Sequence, residues 1–443
     1  MSARKMKDSG IEWIGEIPEE WEISKIKHLL STPITDGPHE TPEILEEGIP
    51  FISAEAVKNL KVNFELKRGF ISQIDHERFC KKCKPQFGDI FMVKSGATTG
   101  NIARVDTHEE FSIWSPLALI RVKNTVIKRD YMFYFLQSNL FRLQVELFWS
   151  YGTQQNIGME VLENLYAPYP SLGMQQKIVA YLDEKCGAID QIVISKQKQN
   201  EQLAEYRQRL ITEAVTKGLN PSVPMKDSGI EWIGEIPEKW QVKKLRYLGE
   251  FSSNGVDKKI VEGEDTYKSV HYMDVYRHSM QEIGNNDNYL VVSATKLKAA
   301  NCDLKKGDAI FTNSSETPED IGHSTVVKED LDNTLMGYHL MRFRPNEELT
   351  NKYERYLFGS MYVRSNLAKR ANGITRYGIS YIDFADILIP YPNVAEQKEI
   401  AAYLDKKCGD IDALREHNKN IIESLQEYKQ SLIYEAVTGK IEL

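Results

Sequence analysis

Six short loops in this 443-residue chain carry the residue types that hydrogen-bond to base edges and phosphates. In the first half they are "TDGPHETP", with Thr35, Asp36, Gly37 and His39; "KSGATTGN", with Lys94, Ser95, Thr98, Thr99 and Asn101; and "YGTQQN", with Thr153, Gln154, Gln155 and Asn156. In the second half they are "NGVDKK", with Asn254, Lys258 and Lys259; "TNSSE", with Asn313, Ser314 and Ser315; and "KRANGITRY", with Arg370, Asn372, Thr375, Arg376 and Tyr377. Asn and Gln can pair bidentately with adenine and Arg and Lys with guanine, while Ser, Thr and Lys reach phosphate oxygens. Glycines let a backbone come close to a groove. One such loop is ordinarily a turn and nothing more. Three in each half, two of them at corresponding places, point to double-stranded DNA.

Bond-making chemistry is poorly represented. "SGATTGN" has glycines but lacks the Gly-Lys-Ser/Thr ending of a phosphate-binding loop. No GxGxxG follows a strand, and neither HExxH nor GxSxG occurs. "APYP" and "IPYP" lack the leading amide and paired prolines of an adenine methyltransferase tetrad. The nearest metal motif is Cys80-Lys-Lys-Cys83 with His76 before it, and one CxxC without a second pair is weak. The reading is therefore non-catalytic and metal-free. A two-domain enzyme with a site between its halves and a protein-interaction scaffold are the alternatives.

The elements that must hold these loops come in duplicate. "MKDSGIEWIGEIPEEW" from Met6 returns as "MKDSGIEWIGEIPEKW" from Met225, and through Leu30 seventeen of twenty-five residues are identical. "APYPSLGMQQKIVAYLDEKCGAIDQI" from Ala167 returns from Ile389, and "EYRQRLITEAVTKG" from Glu205 returns from Glu427. Shared ends and dissimilar middles describe a duplicated module whose ends do one job twice. The shared segments are helices by pattern, with Ser171 and Asn393 as N-caps and Gly218 and Gly439 as stops. A heptad seam runs Ile189, Ile192, Lys196, Gln199, Leu203, Tyr206, Leu210, and again Ile411, Leu414, Asn418, Ile421, Leu425, Tyr428, Leu432. Such seams can bury each other only if the helices run antiparallel, with the variable domains at opposite ends. Ala188 to Lys217 would span about 45 Å.

The middles read as mixed α/β, with strand-like runs "IPFIS", "DIFMV" and "LALIRV". Gly88-Asp89 and Gly307-Asp308 form equivalent turns into a strand. "RDYMFYFLQSNLFRLQVELF" and "NKYERYLFGSMYVRSNLAKR" are each read as an amphipathic helix. The fold class is thus α/β mixed (α+β), two globular domains separated by a coiled-coil-like antiparallel helix pair. The segments are 1–24, 25–170, 171–218, 219–244, 245–392 and 393–443. No apolar run nears the roughly 20 residues a membrane span needs. Five scattered cysteines suit a reducing cytoplasm. The net charge of −8 excludes a uniformly basic surface, so a DNA partner requires a local positive field or help from other subunits.

In combination these features resemble the specificity subunits of type I restriction–modification systems, over essentially the whole chain. The residues that carry the resemblance are "GxIPxxW" (Gly15–Trp21, Gly234–Trp240), the Gly-Asp turn, the loop before each shared helix and the twice-present "YLD–ID–L–EY–LI–EAVT" helix. The first half departs slightly, with Gln175-Gln176 read against Glu396-Gln397. The resemblance implies target recognition domains that each read half of a bipartite, asymmetric DNA sequence, spaced by the helices. It also implies docking of two methyltransferase subunits and of restriction/translocase subunits. S-adenosylmethionine, ATP and Mg2+ would belong to those partners, with no cofactor on this chain.

Overall fold

A computed structural model describes residues 4–148, 156–231, 233–286, 288–346 and 349–443. The chain divides into two compact units: Met1–Lys196 with Lys419–Leu443, and Gln197–Asn418.

In the first unit a six-stranded sheet runs in the order Thr35–Asp36, Leu117–Ile120, Ile90–Val93, Ile102–Arg104, Lys61–Val62, Val57–Lys58. The second unit has five strands in the order Gly249–Ser252, Leu340–Pro345, Ala309–Thr312, Ser324–Val327, Glu282–Ile283. Strand for strand the first five match, with three antiparallel pairings followed by one parallel. A three-stranded sheet repeats too: Ile49–Ile52 lies parallel to Ser112–Ile113 and antiparallel to Gly69–Ile71, as Asp265–Val270 does to Thr334–Met336 and Leu290–Ala294. The dissimilar middles therefore share one topology. Ile90–Val93 and Ala309–Thr312 are buried at every position, which is why these central strands show no alternation.

The Gly-Asp turns enter these strands as expected. Gly88 and Gly307 sit at φ +93° and +90°, the region open to glycine. Behind each, a buried aspartate works twice. Asp89 accepts from the Gln86 amide and binds Arg121 at 2.7 Å through both oxygens; Asp308 does the same with Lys305 and Arg344. The two segments read as single amphipathic helices are each a pair: Arg129–Gln137 with Asn139–Phe148, and Asn351–Gly359 with Met361–Arg370. Ser138 and Ser360 make the breaks. Each hydroxyl donates to a carbonyl three residues back and accepts from the amide three residues on.

Shared residues seat each domain on its helices. Tyr134 donates to Asp183, and Tyr356 to Asp405, which accounts for the aspartate of "YLD". Gln175 and Gln397 are both buried and bridge backbone groups: Gln175 joins Lys128, Val126 and Pro170, and Gln397 joins Thr350 and Pro392. The equivalence is therefore Gln175 with Gln397, which puts Met174 opposite Glu396 and corrects the pairing of Gln175-Gln176 with Glu396-Gln397. Asn393 caps its helix by accepting from the Glu396 amide.

The opening motif turns out to be demanded locally. Met6–Asp8 pairs with Glu16–Pro18, and Met225–Asp227 with Glu235–Pro237. Between them Asp8 and Asp227 accept from Gly10 and Gly229, and Ser9 and Ser228 accept from Ile11 and Ile230. Trp21 and Pro18 then close over Gly439, and Trp240 and Pro237 over Gly218. Both glycines are left-handed, at φ +73° and +74°, and end their helices.

The shared helices are Leu172–Lys217 and Val394–Val437, unbroken through Cys186-Gly187 and Cys408-Gly409. The first, at 46 residues, is about 69 Å long. Within each unit they run antiparallel. In the first unit Asp190 binds Lys429 at 2.7 Å; in the second Arg207 binds Asp412 at 3.1 Å and Asn200 donates to the Arg415 carbonyl. Ile189, Leu210, Ile411 and Leu432 are buried on the seam as expected. The alternate positions differ by one residue. Val193 is buried where Ile192 was expected, and Ile192, Tyr206, Leu414 and Tyr428 are 46, 52, 40 and 56% exposed. The cause is phase: Ile178, Leu182, Cys186 and Ile189 leave the domain core on one face, and Val193 continues that face while Ile192 turns off it.

Candidate nucleic-acid interface

In both units the loops gather at one end of the large sheet, around a backbone hub. In the first unit the hub is Trp114–Pro116. The Lys94 amide donates to the Pro116 carbonyl at 2.8 Å, the Ser115 amide to Pro38, and the Ile157 amide to Lys94. In the second unit the hub is Gly337–His339. Asn313 donates to the His339 carbonyl at 3.5 Å, Tyr338 to Val256, and Ile379 to Asn313. A glycine abuts each hub: a Cβ on Gly37 would lie 2.0 Å from the Ile113 carbonyl oxygen, and one on Gly255 2.0 Å from that of Gly337. One scaffold is therefore built twice and filled with different side chains.

The first hub carries charge. Asp36 is fully buried and faces Lys82, Lys94 at 3.0 Å and His39 at 3.2 Å. Burial pushes its carboxyl up, but hydrogen bonds and charge from Lys82 and Lys94 outweigh that and leave its pKa below the ordinary value. Asp36 and Gly37 lie under the surface, so their part is to hold Lys82 and Lys94 rather than to touch a base. Thr35, Lys94 and Ser95 are half-buried, and His39 and Asn156 are exposed beside them; Ser95 and Asn156 form a bridge. Thr98, Thr99 and Asn101 lie on the far limb of the hairpin between Ile90–Val93 and Ile102–Arg104. Thr99 and Asn101 line a groove of about 830 Å³ with Asp190, Gln426 and Lys429 of the helix pair, away from the hub. Thr153, Gln154 and Gln155 lie outside the described residues.

Sequence reasoning missed Lys82, which it treated as part of a thiol turn, and the pair of Arg68 over the Trp114 ring at 4.0 Å. That thiol turn is structural. His76 bonds Ser112 at 2.9 Å, and burial raises the Cys83 thiol to about 12. Among the described residues no cluster of His, Cys, Asp and Glu could hold a metal ion.

The second hub is aromatic and amide-bearing. Asn254 and Lys259 are exposed, and Lys258 lies 5.8 Å over the Tyr338 ring. Asn313 is half-buried, but Ser314 and Ser315 are buried because they form a strand paired to Tyr377–Gly378, which continues into Asn372–Gly373. Two loops read separately from the sequence are thus one small sheet. Asn372, Thr375 and Arg376 stand exposed at its edge; Arg370 and Tyr377 are half-buried. Tyr338 and His339 were missed. His339 is exposed and held at φ +59°, a conformation unusual for a non-glycine residue. The only signal for them was Gly337 just before a buried strand.

The family model described as "Type I restriction modification DNA specificity domain" matches this chain twice, at residues 18–204 and 237–425. The chain belongs to that family. It is a type I restriction–modification specificity subunit with two DNA recognition domains. A Methanocaldococcus jannaschii protein provisionally named type I restriction enzyme MjaX specificity subunit is 26% identical over 440 residues, covering 97% of this chain and 95% of that one. The MjaVIII specificity subunit of the same organism is 24% identical, covering 96% and 94%. A chain solved in work on complex assembly and conformational transition of the type I R-M system superposes with a TM-score of 0.71 at 15% identity, covering 96% of this chain and 99% of that one, a likeness of fold. Among the described residues no helix is long and apolar enough to cross a membrane.

Proposed function

We propose that residues 25–170 and 245–392 each read one half of a bipartite, asymmetric DNA target, while 171–218 and 393–443 set the spacing between halves. The hubs carry the reading: one backbone scaffold, presenting Lys82, Lys94, His39 and Asn156 in one unit and Lys258, Tyr338, Asn313 and Arg376 in the other. The remaining loop residues, Thr35, Ser95, Thr98, Thr99, Asn101, Thr153, Gln154, Gln155, Asn254, Lys259, Arg370, Asn372, Thr375 and Tyr377, supply phosphate or base contacts. Asp36, Gly37, Ser314 and Ser315 position their neighbours.

Two copies of a methyltransferase subunit dock on the helices. The support is a duplicated exposed patch: Ile192 and Tyr428 flank the Asp190–Lys429 pair, and Leu414 and Tyr206 flank the equivalent Asp412–Arg207 pair. The chain takes no catalytic part. S-adenosylmethionine, ATP and Mg2+ sit on methyltransferase and restriction/translocase partners, in the cytoplasm. Acidic balance fits this sharing, since partners would neutralise most phosphates.

Exchanging residues 31–165 for those of another family member should change one half of the methylated sequence; a change in both halves, or in neither, would end the modular reading. A mobility-shift assay with and without the methyltransferase subunit should show specific binding only with it.

A further inference from the structure

The small sheet of the second unit ends in an aliphatic side chain that the fold does not use. Asn372 pairs with Gly378 and Gly373 with Tyr377, which leaves Ile374, Thr375 and Arg376 as the tip. Ile374 is 94% exposed, above every other large apolar side chain of the described residues. A Cβ on Gly373 would lie 2.0 Å from the Arg376 carbonyl oxygen, so the turn closes tightly and the tip is narrow. The ribbon is anchored by its pairing with Ser314–Ser315, one residue from Asn313 at the hub. Its surroundings are polar, with Asn372 and Arg376 exposed, Arg370 at its base and one exposed carboxylate, Glu316, after the paired Ser315.

A two-stranded ribbon fits the major groove of B-DNA, which is about 12 Å wide, and cationic side chains flanking an apolar tip suit that groove better than a protein surface. On the base edges there, the apolar group is the C5-methyl of thymine. We propose that Ile374 reads a thymine methyl in the half-target recognised by the second unit. This deepens the recognition role proposed above and rests on it. The corresponding slot of the first half, Gly152-Thr153-Gln154-Gln155, has Thr153 in place of Ile374, and the proposal concerns the second half-target.

The test uses the chain assembled with its methyltransferase subunit and a duplex of the sequence it methylates. Each thymine of the second half-target is replaced singly by deoxyuridine, which removes the methyl and leaves the pairing edge. One replacement should weaken binding about four-fold, the worth of one buried methyl-sized group. Ile374→Ala should weaken binding to the thymine duplex by a similar factor and abolish the difference between thymine and uracil, with unchanged thermal stability. Indifference of the wild type to every replacement, a half-target without thymine, or a methyl effect that survives Ile374→Ala would overturn the proposal. So would loss of assembly in Ile374→Ala without DNA, which would give the tip to a protein contact. Exchange of residues 245–392 separates the two levels: if the half-target moves with the domain while uracil is neutral, only the isoleucine assignment fails.

Discussion

Replacing Glu354 by methionine should make the second unit more stable. Glu354 lies on the helix Asn351–Gly359, fully buried, and neither carboxylate oxygen has a hydrogen-bond partner among the described residues. Burial, and then the charge of Asp308, hold its pKa well above the ordinary carboxyl value, so it is carried as the neutral acid. Its equivalent in the first unit is Met132, one residue after Tyr131 as Glu354 follows Tyr353, and it too is fully buried. Leaving a polar group buried without a partner costs about 1–3 kcal/mol. Methionine fills a similar volume without that cost, so Glu354→Met should gain about 1–3 kcal/mol. For a domain of this size that is a rise of about 2–10 °C in the midpoint of thermal unfolding. The pH dependence has a definite sign. With the folded pKa raised, the folded unit keeps a proton that the unfolded chain releases above about 4.3. Wild-type stability should therefore fall as pH rises from there towards the folded value, and Glu354→Met should remove that slope. Calorimetry of the full chain at several pH values reads both effects. Recognition should be untouched, because Asp308 and Asn313 stand at opposite ends of a strand, about 16 Å apart. A destabilised variant, or a pH slope that survives the substitution, would refute the account of a neutral buried acid.

Asp36→Asn should weaken binding of the assembled complex and relax only the first half-target, because Lys82 and Lys94 lose the carboxylate that aims them. Because the Asp36 pKa is depressed, its contribution to stability is present above about pH 4 and lost as pH falls through the folded value, a loss that denaturant titrations of Asp36→Asn should no longer show. Gly439→Ala should destabilise more than Gly218→Ala. Both place a Cβ in a left-handed position, at about 1 kcal/mol, but at Gly439 it lies 2.4 Å from Pro18, while at Gly218 it lies 3.2 Å from Trp240. Comparison of the two unfolding midpoints checks the order. Tyr428→Ala or Tyr206→Ala should each remove one methyltransferase copy, and the pair both; native mass spectrometry reading two copies on the double variant would refute the docking patch.

The shared ends were legible because each was written twice: the Asn393 cap, the glycine stops and the Gly-Asp turn stand where their residue types place them. The dissimilar middles hid a common topology. Strands such as Ile90–Val93 are buried on both faces and show no period of two, and many others are only two or three residues long. The helix seam was legible to within a heptad but not in phase, since Ile192 and Val193 are equally apolar and only the core decides which turns inward. Loop composition located the candidate face but not its roles. Nothing in "TDG" tells a buried carboxylate that steers two lysines from one that meets a base. Nothing in "NSS" says that its serines will be covered by the strand Tyr377–Gly378, far along the chain. Trp114, Tyr338 and His339 belong to no motif, and became visible only when three separate loops were seen to be tied together by backbone hydrogen bonds.

The joints between domain and helix are the same in both units: a tyrosine on an aspartate (Tyr134–Asp183, Tyr356–Asp405), a buried glutamine clasping backbone groups, and a serine hinge. Such joints act as a socket that takes no account of the tool it grips. A gene encoding the first tool in both places should still yield a folded protein, one that asks the DNA the same question twice.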